Sequence, residues 1–230
     1  MGVVNVTPDS FSDGGRFYDT ERAIEHALSL LNQGAGVLDV GGESTRPGAD
    51  PVSEEEEMAR VLPVIEGLRK QTQAPISIDT SKPAVMDAAV RAGADMINDV
   101  RALQVSGALE TAARLGVPVC LMHMQGTPRT MQNAPSYEDV VADQQSFFRQ
   151  RTDQCLHHGI KREHLVIDPG FGFGKLLGHN LALLDRLGEL LSLGFPVLAG
   201  LSRKSMLGQL TGRERADERV TASVTAALLA

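Results

Sequence analysis

Short, almost wholly apolar runs recur along the chain, each entered from a glycine and left through a polar residue. The phrase reads Asn32-Gln-Gly-Ala-Gly-Val-Leu-Asp-Val40, Arg91-Ala-Gly-Ala-Asp-Met-Ile-Asn-Asp99 and Arg114-Leu-Gly-Val-Pro-Val-Cys-Leu-Met-His123. It returns as His158-Gly-Ile160 leading to Leu165-Val-Ile-Asp-Pro-Gly170, and as Leu193-Gly-Phe-Pro-Val-Leu-Ala-Gly-Leu-Ser202. A glycine just past a helix is a common stop, because it adopts the left-handed conformation without a Cβ penalty. Runs that are apolar on both faces suit strands buried in a parallel sheet. Strands are therefore expected near 2–6, 37–41, 75–79, 95–99, 117–122, 165–168 and 196–200.

The segments between have helical period. Ala23, Ile24, Ala27, Leu28 and Leu31 share one face, as do Met58, Val61, Leu62, Ile65 and Leu68. Ser53-Glu-Glu-Glu56 precedes the second set and has the form of a capping box. Strands alternating with helices mean a parallel sheet. Seven βα units without a linker favour an α/β fold of the (β/α)8 TIM-barrel type, one domain over residues 1–230, above an open doubly wound sheet. Seven strands alone leave two open sheet edges. The expectation is that residues 1–230 belong to a polypeptide of roughly 270–280 residues whose eighth unit closes the barrel.

Composition narrows the function. With 42% apolar and 22% charged residues the chain resembles an ordinary globular protein. A net charge of −7 and only 4% aromatic residues, with no Trp, argue against nucleic acid as a partner. No apolar run approaches the roughly 18 residues of a membrane span, and no export signal opens the chain. Cys120 and Cys155 have neither metal nor disulfide spacing and suit a reducing, cytoplasmic setting.

Barrel active sites lie at the C-terminal ends of the strands. Here those ends carry Asn5, Asp79, Asn98, Asp99, His123, Asp168 and then Ser202, Arg203 and Lys204, which would converge on one cavity. Asp39 sits mid-run and reads as structural, Glu43 as an equally plausible internal salt-bridge partner, His123 as a structural hydrogen-bonding group and Phe171 as packing. The remaining histidines, at 26, 157, 158, 164 and 179, read as helix-surface residues without metal spacing. Long turn-rich loops at 7–15, 41–49 and 125–132 have the composition of closing elements, with hydroxyls and Arg46 on them. Gly170, Gly172 and Gly174 lack the G-x-G-x-x-G spacing, so a dinucleotide site is rejected.

Seven segments carry a more specific signal. They are Asn5-Val-Thr-Pro-Asp-Ser-Phe-Ser-Asp-Gly-Gly15, Gly42-Glu-Ser-Thr-Arg-Pro-Gly48, Ser77-Ile-Asp-Thr80, Ile97-Asn-Asp99, Met122-His-Met-Gln-Gly126, Asp168-Pro-Gly-Phe-Gly-Phe173 and Ser202-Arg-Lys-Ser205. In this order they resemble the bacterial dihydropteroate synthases over the whole chain. The resemblance implies an enzyme in which p-aminobenzoate displaces pyrophosphate from 6-hydroxymethyl-7,8-dihydropterin diphosphate, with sulfonamides competing for the aminobenzoate site. It implies pterin diphosphate contacts from Thr45, Asp79, Asn98, Met122, Asp168 and Lys204, and a catalytic set of Lys204, Arg46 and Asp79. It implies an aminobenzoate pocket of Phe11, Thr45, Pro47, Phe173 and Ser205, with Asp9 on a closing loop. It also implies Mg²⁺ at Asn5 and a homodimer through the late helices.

Two features depart from the family pattern. Some residues usually precede the position of Met1, and the Arg-x-His pair of the family's last strand has no counterpart here. Two other readings are a pterin-binding methyltransferase domain serving a corrinoid protein and a non-catalytic pterin-binding barrel. The first should lack the 7–15 loop and Ser202-Arg-Lys-Ser205, both of which this chain has.

Overall fold

The structure is a computed structural model that describes residues 1–7, 16–45, 48–127 and 129–230. Six strands form one parallel sheet in chain order: β1 Gly2–Asn5, β2 Leu38–Gly41, β3 Ile76–Asp79, β4 Met96–Asp99, β5 Val119–Met122 and β6 Leu165–Asp168. Helices α1 Arg16–Asn32, α2 Glu54–Arg69, α3 Pro83–Ala92, α4 Ala108–Leu115 and α5 Val140–His157 follow the first five strands in turn. After β6 come α6 Leu177–Asp185, α7 Gly188–Leu191, α8 Ser205–Thr211 and α9 Val220–Leu229. This is the TIM-barrel alternation, with the described sheet open rather than closed on itself.

The expected seventh strand, 196–200, is not a ladder strand. Its backbone meets β6 at a single bridge, Ile167 to Val197, with Ile167 N–H donating to Pro196 O at 3.0 Å and Leu198 N–H to Ile167 O at 2.9 Å. The neighbouring rungs would need an N–H from residue 196 on one side and from residue 169 on the other. Both are prolines, which carry no N–H. The pairing survives as one rung because its flanking donors do not exist.

Alternation along the strands divides the sheet into two chemistries. One face carries Val4, Leu38, Val40, Ile76, Ile78, Ile97, Val119, Leu121, Leu165 and Ile167, all fully buried. They share one core with Ala23 and Ala27 of α1, Val61, Ile65 and Leu68 of α2 and Phe148 of α5. Each fully buried side chain of this size stabilises the fold by about 1.5–3 kcal/mol relative to exposure. The amphipathic stripes read from the sequence are the faces that meet this core. Ser53 caps α2 by accepting from Glu56 N–H at 3.2 Å, but the second half of the capping box is not made: Glu56 pairs with Arg60 instead.

The other face is polar at the C-terminal end. Asn5, Gly41, Asp79 and Asn98 are successive register partners across β1 to β4, and Met122 partners Asp168 across β5 and β6. Asp99 departs from the expected convergence. It is in register with the core residue Leu121, so it faces the helical layer. There its carboxylate accepts from Ser81 Oγ, from Arg101 N–H at 2.8 Å and from Leu103 N–H at 2.7 Å, closing the turn after β4. It is a turn residue.

Candidate active site

Asp168 ends β6 with 8% of its surface exposed. Gly170 N–H donates to its Oδ1 at 2.7 Å, which fixes the carboxylate at the mouth of the strand. Burial lifts the carboxyl to about 6, against the pull of that amide and of the Lys204 and Lys175 ammoniums. Lys204, half-buried at the N-cap of α8, lies with Nζ 4.5 Å from the centre of the Phe173 ring. Burial depresses its ammonium, while Asp168 and Asp79 act to retain the charge. Phe173 is half-buried, Met122 is 4% exposed, and Ser205 is exposed at the first turn of α8.

Asp79 and Asn98 stand side by side on β3 and β4. Asn98 Nδ2 donates to Asp39 Oδ2 at 3.0 Å, which leaves the Asn98 carbonyl as the acceptor end of its amide. The structural reading of Asp39 therefore has a stated content: it orients Asn98. Burial, and then the carboxylates of Asp39, Asp99, Glu57 and Glu43, push the Asp79 carboxyl well above the ordinary carboxylate range. Burial raises Asp39 as well, against the hydrogen bond from Asn98. A carboxyl held toward its neutral form offers a donor as well as an acceptor.

The connection after β2 is anchored from below. Lys82 Nζ donates to both Glu43 and Glu57, and Glu57 is 1% exposed. Arg60 donates to Gly42 O at 2.7 Å. Glu43 is thus a salt-bridge partner, and half-buried Thr45 follows two residues later. Asp9, Phe11, Arg46 and Pro47 lie outside the described residues.

One group escaped the reading of the sequence. Lys175 is 3% exposed and inserts its ammonium between the connections that follow β5 and β6. Its Nζ lies 3.1 Å from His123 Nδ1 and donates to His123 O at 3.1 Å, Gly170 O at 3.0 Å and Phe173 O at 2.9 Å. Burial lowers this lysine to about 7 and, with the Lys175 charge beside it, lowers His123 to about 3. His123 is therefore the neutral, structural hydrogen-bonding group expected, and Gln144 Nε2 also faces its Nδ1 at 3.3 Å. Phe171 is fully buried packing.

The two connections approach closely because glycine permits it. Gly170 at φ +64° and Gly174 at φ +59° adopt left-handed backbone, and a Cβ on them would lie 2.2 Å from His123 O and 2.6 Å from Gln125 O respectively. Tyr137 Oη donates to Gly174 O at 2.7 Å, and Gln132 Nε2 to Gly172 O at 2.7 Å. A groove of about 760 Å³ elsewhere, lined by Leu184, Leu207, Leu210, Ala222, Ala226 and Leu229 among others, contains none of these groups.

Asn5 ends β1 with its side chain exposed. Among the described residues no cluster of three or more His, Cys, Asp or Glu side chains could enclose a metal ion. The donor set suits a cation that brings most of its oxygens with a phosphate ligand and takes one neutral amide oxygen from the protein.

The pterin binding enzyme family matches residues 1–230. The dihydropteroate synthase of Haemophilus influenzae is 53% identical over 230 residues, covering all of this chain and 83% of that protein. The Xanthomonas albilineans dihydropteroate synthase, solved with 4-aminobenzoic acid, superposes with a TM-score of 0.94 at 56% identity, covering 99% of this chain and 81% of that one. A Yersinia pestis dihydropteroate synthase in a sulfonamide complex superposes with a TM-score of 0.94 at 51% identity, covering 99% of this chain and 82% of that one. By sequence, fold and the strand-end residues just described, the chain belongs to the pterin binding enzyme family and, within it, to the dihydropteroate synthases.

Proposed function

We propose that this chain condenses 6-hydroxymethyl-7,8-dihydropterin diphosphate with p-aminobenzoate, releasing pyrophosphate and forming 7,8-dihydropteroate. The observation that carries the reading is Asp168: a buried carboxylate, fixed by Gly170 N–H and flanked by two lysines, at the open end of the sheet. A pterin's aminopyrimidinone edge presents adjacent N–H donors, and one carboxylate accepts two of them at once. Asp79, with its carboxyl held toward neutral, and the Asn98 carbonyl complete the polar ring, while Met122 supplies an apolar wall. Lys204 meets the pterin's acceptor atoms near the reacting carbon.

The reaction breaks the carbon–oxygen bond to the diphosphate and forms a carbon–nitrogen bond to the arylamine, whose lost proton passes to the pyrophosphate or to water. An arylamine needs no strong base. Catalysis therefore consists mainly of stabilising the departing anion, and the cationic Lys204 and Arg46 serve that end with Thr45 on the same connection as Arg46. The aminobenzoate pocket comprises Phe11, Thr45, Pro47, Phe173 and Ser205, the same space a sulfonamide takes. Mg²⁺, held by diphosphate oxygens with Asn5, supplies charge neutralisation for the leaving group when bound.

The reading places the chain in the cytoplasm, which two buried free cysteines support, and no described helix is long and apolar enough to cross a membrane. It pairs two copies through the late helices, where the apolar groove lies. The test is direct: protein mixed with the pterin diphosphate, p-aminobenzoate and Mg²⁺ is assayed for pyrophosphate. Release that depends on the arylamine is expected. Its absence, or methyl transfer from a methylated folate, overturns the assignment.

A further inference from the structure

We infer that Lys175 is a positioning residue for the arylamine: its buried ammonium ties the Phe173 segment to the β5 connection and so fixes one wall of the aminobenzoate pocket. The inference rests on the aminobenzoate reading of Phe173 given above and adds to it a residue that touches neither substrate. An ammonium has three hydrogens. Here it faces four acceptors, the His123 ring and the carbonyls of His123, Gly170 and Phe173. None of these three carbonyls lies within a strand, so the lysine takes the place of a ladder partner.

The geometry assigns the effect to one substrate. Phe173 is held through its own backbone: its carbonyl accepts from Lys175, and its N–H donates to Gly170 O at 3.0 Å. The ring above that backbone is the one that Lys204 overlies. Asp79 and Asn98 are instead held by strand register, which does not pass through Lys175, while Asp168 is in register with Met122 and meets Lys175 only through Gly170 and its charge. Slackening the cage therefore displaces the arylamine wall more than the pterin contacts, of which only Asp168 adjoins it. Tyr137 braces the same segment from the other side through Gly174 O, which provides a milder lever on it.

The experiment uses Lys175→Met and Tyr137→Phe. Steady-state kinetics should show the KM for p-aminobenzoate rising about tenfold in Lys175→Met and about twofold in Tyr137→Phe. The KM for the pterin diphosphate, read at about pH 8 so that Asp168 keeps its carboxylate without the Lys175 charge, should be unchanged in Tyr137→Phe and rise no more than about threefold in Lys175→Met. Amide hydrogen exchange across residues 170–174 should accelerate at least about tenfold in Lys175→Met, with the β3 and β4 amides unchanged. Equal rises in both KM values, or a fall in kcat with both KM values unchanged, would overturn the assignment. If Lys175→Met fails to fold, Tyr137→Phe decides between these outcomes. Wild-type turnover is measured first, so a protein without synthase activity sinks the functional reading separately, and the exchange pattern still tests the cage.

Discussion

At the scale of single residues, the site depends on carboxyls whose charge the protein makes costly. The Asp168 carboxyl lies near 6 because burial outweighs one amide hydrogen bond and two lysines. Its folded value is above the ordinary 3.8, so protonation favours the folded state. That contribution is fully present below about pH 4 and is lost as pH rises through about 6. Pterin binding has the opposite sign, since it needs the carboxylate. Affinity for the pterin should be flat above about pH 7 and fall toward tenfold per pH unit below about 6. Asp168→Asn should weaken binding by about 2–4 kcal/mol and remove this dependence, because an amide sets a donor against a donor. Titration calorimetry between pH 5 and 8 checks both, and wild-type binding that ignores pH would refute the role.

Residue scale is also where the sequence was least legible. Asp79, Asn98, Asp168 and Lys204 announced themselves as polar residues ending apolar runs, and a polar group there needs a partner. Lys175 gave no such signal. Its partners are mostly backbone carbonyls, which any residue type supplies, so no motif spacing records them. The trace that was present is the run of glycines at 170, 172 and 174, all in left-handed conformation, which lets carbonyls turn inward. Asp99 misled for a related reason: its position matched a strand end, but alternation by one residue sends it to the helical face.

At the scale of elements, the βα alternation was readable because each strand is a short, largely apolar run and each helix is apolar on one face. Boundaries agree to within a residue or two, and the seventh run failed as a strand through proline chemistry that periodicity does not weigh. The described part of the connection after β2 shows how two helices hold a loop. Lys82, at the N-cap of α3, joins Glu43 of that connection to Glu57 of α2. Lys82→Met leaves two carboxylates facing each other, one of them fully buried. Stability should fall by about 2–4 kcal/mol, less than a wholly buried pair would lose because Lys82 is partly exposed. Urea unfolding measures it, and an unchanged midpoint would show that the triad carries no net weight.

At the scale of the whole molecule, the apolar residues outside the core gather near the late helices. Val220, Val224, Leu228 and Leu229 of α9 are 50–83% exposed, beside the groove between α8 and α9. The homodimer proposed above would bury this surface. The proposed homodimer predicts a sedimentation mass twice that of one chain at micromolar concentration. Val224→Glu should return the protein to a monomer while pterin affinity stays within about twofold. A wild-type monomer at all concentrations would remove the dimer from the reading. Charge and composition argue against a nucleic-acid partner, but they carry no sign of where a second copy would sit.

The proposed pterin contacts Asp79, Asn98 and Asp168 are strand residues, the first two in register with both neighbouring strands and Asp168 with β5. The residues proposed for the arylamine side, Thr45, Phe173 and Ser205, belong to no strand. The two halves of the site therefore have different mutational freedom. A substitution on the strands disturbs a ladder shared with the core, so selection acting on it meets a stability threshold. A substitution on the connections reshapes one pocket wall and leaves the ladder intact. A molecule that imitates the arylamine leans on the half that can drift; one that imitates the pterin leans on the half that cannot.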